Sequence, residues 1–160
     1  MNRRTRTNLI VAASLTAMLA LAWLTKREAD LVRPPVADFD AAAVEIVHVA
    51  RRGEPVIVIE RTADGWRMAA PVARAVADER VDGILRGLLT TSRADYPVDA
   101  VPLADVGLEE PRAVVTVDGD AFAFGDRNSV NGLRYVRHDD TVHLADDLVV
   151  FRLAGDPATW

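Results

Sequence analysis

The chain begins with an uninterrupted apolar run and then changes to short alternating stretches. Leu9–Leu24 (LIVAASLTAMLALAWL) is 16 residues without a charge, preceded by Arg3, Arg4 and Arg6 and followed by Lys26 and Arg27. With Asn8 and Thr25 the run would extend about 27 Å as a helix, just short of the ~30 Å hydrocarbon core of a bilayer. Only Ser14 and Thr16 interrupt its apolar character, so it lacks the polar face of a surface helix. The pattern predicts a single membrane anchor with its basic end in the cytoplasm, with Leu9, Leu15, Leu19 and Leu24 in the apolar layer and Trp23 at the interface. The alternative is a signal peptide cleaved after the Ala20–Ala22 pair.

Residues 26–38 are charged and broken by Pro34-Pro35, which predicts an extended linker. The globular domain is expected over residues 39–155, with 156–160 as a tail. Val44–Val49 alternates apolar and polar, Val56–Glu60 is β-branched, and Trp66–Ala70 follows the tight turn Ala63-Asp64-Gly65. These read as three antiparallel strands. Val81, Ile84, Leu85, Leu88 and Leu89 then fall on one helical face, with Asp78 as the expected N-cap. Gly83 and Gly87 fall on the opposite face, read as exposed glycines or as a place where another backbone comes close. Residues 96–101 read as a short extended piece and Pro102–Val106 as one helical turn stopped by Gly107. Alternation resumes at Ala113–Val117, Ala121–Gly125, Leu133–Arg137 and Thr141–Ala145, and 146–153 reads as a closing helix. The predicted fold class is α+β: a transmembrane helix, then antiparallel strands in two groups, one main amphipathic helix and a short C-terminal helix.

Charge narrows the functions. Setting aside the three leading arginines leaves 16 basic against 24 acidic residues. An acidic domain repels nucleic acid, so no nucleic-acid partner is expected. The absence of cysteine removes disulfides, thiol catalysis and Cys-based zinc sites.

Candidate chemistry is sparse. His48 and His143 sit in alternating strands and His138 in a turn, which does not amount to a metal site. Asp126–Gly132 has the composition of a calcium loop, but Val130 stands at position 5, Gly132 is one place late and Arg137 is at position 12. A tight turn closed by its own Asp and Asn side chains explains the segment better. Ser14, Ser92 and Ser129 lack the setting of a nucleophile. Trp66 beside a turn reads as a partly buried core residue, with stacking on a sugar as the rival. No catalytic residue, metal or cofactor is expected.

Five features in order carry a family resemblance: the basic and apolar N-terminus, Asp64-Gly65-Trp66 followed by Pro71, the helix over 78–89, V-G-L-E-E-P-R at Val106–Arg112, and F-G-D-R-N with N-G-L-R-Y-V-R over Phe124–Arg137. The chain resembles the bacterial domain of unknown function 4340 family, most specifically over Gly107–Val136. The resemblance implies an envelope protein on the inner membrane with its domain in the periplasm, associated with ABC-type export machinery of the gliding-motility kind. The residues expected to form a motif or interaction site are Trp66, Gly107, Asp126, Arg127, Asn128, Asn131, Gly132 and Tyr135. The expected function is a non-catalytic scaffold or accessory module. A periplasmic glycan- or lipid-binding module is the alternative, and an enzyme with its site in the Asp126–Tyr135 region is the third reading.

Overall fold

A computed structural model describes residues 18 and 35–147. The chain divides into two units, Met1–Arg33 and Pro34–Trp160, and the second holds the folded domain. The first described residues of this unit already belong to the domain. Pro35 bridges Thr91, the Val36 amide donates to the Thr90 carbonyl, and Val36 and Ala37 are buried.

Alternating apolar residues produce most of the strands, because successive side chains of an extended chain point to opposite faces. Among the described residues there are nine: β1 (Ile46–Arg51), β2 (Ile57–Thr62), β3 (Gly65–Ala70), β4 (Arg74–Ala75), β5 (Ala94–Pro97), β6 (Ala113–Val117), β7 (Asp120–Arg127), β8 (Arg134–His138) and β9 (Thr141–Ala145). The one helix described in this unit, α1 (Asp78–Leu88), lies between β4 and β5, and a 3-10 turn covers Val98–Ala100. All nine strands form one antiparallel sheet in the order β4-β3-β2-β1-β6-β7-β8-β9-β5.

This corrects the expected fold class. The two strand groups are not separate: β1 and β6 join them through five residue pairs, from Val47↔Val117 to Arg51↔Ala113. Alternation tells which face a residue occupies but not which distant strand it pairs with, so the join was not visible in the pattern. The transmembrane helix finds no support either. Residues 9–24 other than Met18 lie outside the described residues, and among the described residues no helix is long and apolar enough to cross a membrane. The anchor positions Leu9, Leu15, Leu19, Trp23 and Leu24 are therefore not described. Of the expected closing helix, Asp146 and Asp147 are not helical and the rest lies outside the described residues.

The core lies on one face of the sheet, beneath α1. Val47, Val49, Ile57, Ile59, Met68, Val115 and Phe122 point inward and meet Val81, Ile84, Leu85 and Leu88 of the helix. Full burial of an aliphatic side chain of this size stabilises by roughly 1.5–3 kcal/mol, so these positions dominate the fold. Gly83 and Gly87 are buried as well, which rules out the exposed-glycine reading. The helix start also differs from expectation. Ala77 is the N-cap and makes no side-chain cap bond, while Asp78 is the first helical residue. Its carboxylate accepts from the Trp66 amide (3.3 Å) instead, and a Cβ on Gly65 would lie 3.0 Å from it.

Both sheet edges are blunted. β4 is two residues long, and β5 ends in Pro97, which has no amide to offer a further strand.

Candidate functional site

The segment from Pro102 to Arg112 lies across the end of β7. The Asp126 amide donates to the Val106 carbonyl (2.7 Å), and the Leu108 and Glu109 amides both donate to the Leu103 carbonyl. Two glycines permit this contact. A Cβ on Gly125 would stand 2.3 Å from the Val106 carbonyl oxygen. Gly107 has φ +68, a left-handed conformation that side chains disfavour, and a Cβ there would stand 2.8 Å from Cγ of Asp126.

Charged groups close the same corner. Nε of Arg112 donates to Oδ1 of Asp126 at 2.7 Å, both side chains being about half exposed. The Arg52 guanidinium donates to the Glu110 carbonyl and lies 3.7 Å from the Glu110 carboxylate. Together with Gly107 and Glu109 these residues line an open groove of about 700 Å³. Gly107 and Asp126 thus meet directly, a contact that their separate motifs did not reveal.

The other expected site residues form a self-contained loop between β7 and β8. Oδ1 of Asn128 accepts from the Val130 and Asn131 amides, Oδ1 of Asn131 accepts from the Leu133 amide, and Nε of Arg127 donates to the Gly132 carbonyl. The Asn128 side-chain amide donates to the Tyr135 hydroxyl at 2.8 Å. Gly132 has φ +74, and a Cβ there would meet the Arg127 guanidinium at 3.0 Å. These groups hold one another in a tight turn. Trp66 lies on another part of the sheet. It is 4 % exposed with the Arg61 guanidinium 4.4 Å from its ring centroid, which leaves no ring face open to a sugar.

Several strong contacts were missed at the sequence level. Arg134, read as an ordinary strand residue, is buried and grips Asp147 through two N–H donors at 2.5 and 2.8 Å. Its third contact is a donation to the Gly125 carbonyl at 2.5 Å. Nδ1 of His143 lies 2.7 Å from the Asp95 carboxylate and ties β9 to the edge strand β5. The Asp118 carboxylate, in a turn with φ 47, accepts from the Glu45 and Ile46 amides and fixes the start of β1. Burial, together with the neighbouring positive charges of Arg51 and Arg74, lowers the pKa of Arg80 below the usual guanidinium value. His138 stacks on Phe122 with ring centroids 4.3 Å apart, and His48 is exposed on β1. Among the described residues no group of three or more His, Asp or Glu side chains is placed to hold a metal ion.

The residues that meet at the groove, Gly107 and Arg112 from one motif and Asp126 from the other, fall within a match to a single family model over residues 66–160. The chain belongs to the family described as Domain of unknown function (DUF4340). The matched region runs from Trp66 in β3 through α1 and β4–β9 and includes both motifs. No curated protein and no solved structure matched the chain.

Proposed function

We propose that this DUF4340 member is a non-catalytic accessory module of the bacterial envelope. Its arginine-led apolar segment directs it to the inner membrane, and its domain stands in the periplasm. There it docks on a protein partner, with the membrane components of an ABC-type transporter as the first candidates. The observation behind this reading is the use to which the two motifs put their side chains. Gly107 is seated against Asp126, Arg112 pairs with Asp126, and Asn128 closes its own turn. What remains open is a groove lined by charged side chains of both signs, a surface on which complementary charge would give a protein partner its orientation and specificity.

The test is affinity capture of the tagged full-length chain after gentle detergent extraction, combined with a periplasm-specific reporter fused at the C-terminus. The reading predicts reporter activity outside the cytoplasm and a stoichiometric membrane-protein partner in the eluate. Capture of the chain alone, or activity confined to the cytoplasm, contradicts it.

A further inference from the structure

Residues 101–110 leave the sheet after the 3-10 turn and return to it at Arg112. Both ends are tied to strands: the Val98 amide donates to the Asp140 carbonyl, and the Arg112 amide donates to the Phe124 carbonyl. Between these ties the segment bonds mainly to itself. The Asp105 amide donates to the Pro102 carbonyl, Gly107 to Ala104, and Leu108 and Glu109 to Leu103. Its middle is held to the sheet by the Asp126 amide on the Val106 carbonyl, by Leu108 against Gly125, and by Arg52 on Glu110. Of residues 98–112, all described, only Leu108 is buried. Leu108 lies outside the core cluster beneath α1.

We propose that residues 101–110 form a strap that unfastens from the sheet as a unit while the rest of the domain stays folded, and that it thereby makes and dismantles the groove. This goes beyond the accessory reading and does not rest on it. An element opens by itself when it shares few buried apolar contacts with its neighbours and its polar contacts are exposed to water. The strap meets both conditions. Its release gives up the burial of Leu108 and the bond between Val106 and Asp126. The side chains of Arg52 and Glu110 are 60 and 82 % exposed, so they exchange each other for water at little cost. The core beneath α1 stays closed, because Leu108 is not part of it. The groove, however, depends on the strap. Ala104, Gly107, Glu109 and Glu110 supply one of its walls, and Arg52 and Asp126 supply the other. Release of the strap separates these walls.

Hydrogen exchange of the full-length chain in detergent, resolved to single amides by NMR, tests the device. The Asp126 amide reports the strap, because its acceptor is the Val106 carbonyl. The most protected amides of β1 and β6 report unfolding of the whole domain. Asp126 is expected to be protected at least about a hundredfold less than they are. Ile59→Val, in the core, should lower the protection of β1 and β6 by about threefold or more. It should leave Asp126 unchanged, because the core is intact when the strap is open. Leu108→Ala should lower the protection of Asp126 by about tenfold or more. Equal protection of Asp126 and the central strands overturns the proposal, and so does an equal response of both to Ile59→Val. An Asp126 amide indifferent to Leu108→Ala overturns it as well. If Leu108→Ala does not fold, the Ile59→Val comparison decides alone.

Discussion

Two arginine–carboxylate pairs close the same rim of the sheet, and they differ mainly in solvent. Arg134 and Asp147 have side chains 9 and 26 % exposed, and the guanidinium also holds the Gly125 carbonyl. Arg112 and Asp126 have side chains 63 and 46 % exposed and share a single hydrogen bond. Breaking a buried pair strands a charge away from water, whereas breaking an exposed one returns both partners to it. The first pair therefore belongs to the architecture of the sheet and the second is free to serve recognition.

Substitutions can break this contrast in graded steps. Arg134→Ala leaves Asp147 and the Gly125 carbonyl without their donor, and a loss of about 3–5 kcal/mol in chemical denaturation is expected. Gly125→Ala forces a Cβ against the Val106 carbonyl, where relief requires the backbone to move. About 2 kcal/mol should be lost, with the segment 102–112 becoming more accessible to hydrogen exchange. His143→Ala removes the link from β9 to Asp95 on the edge strand and should cost about 1–2 kcal/mol, with the loss of exchange protection concentrated in β5. Arg112→Ala should lower stability by no more than about 1 kcal/mol. Arg52→Glu should leave the melting temperature nearly unchanged. A large drop for either of the last two would mean that the groove belongs to the architecture as well.

Local pattern carried the elements further than it carried their assembly. The β1–β2–β3 hairpins, the β6–β9 strands and α1 were legible because each has one buried face and one wetter face over most of its length. β9 departs from that rule: Val142, His143, Leu144 and Ala145 are all buried, so alternation does not say which face is the core. The join between β1 and β6 links residues about 65 positions apart and has no local signature. β4 is too short to show a period. At the candidate site, Gly107 and Asp126 were singled out by their motifs, but their contact depends on how residues 102–112 cross β7. The Arg134–Asp147 fork was hidden because Asp146-Asp147 reads as a helix start, and the sequence does not say that the chain passes beside β8 there.

The central claim is that the exposed pair at the groove contributes little to folding and is thereby available to a partner. A double-mutant cycle over Arg112→Ala and Asp126→Ala, measured by urea unfolding, isolates their coupling from their other contacts. A coupling energy below about 1 kcal/mol is the predicted result. A value of about 3 kcal/mol, in the range of a buried pair, would contradict it.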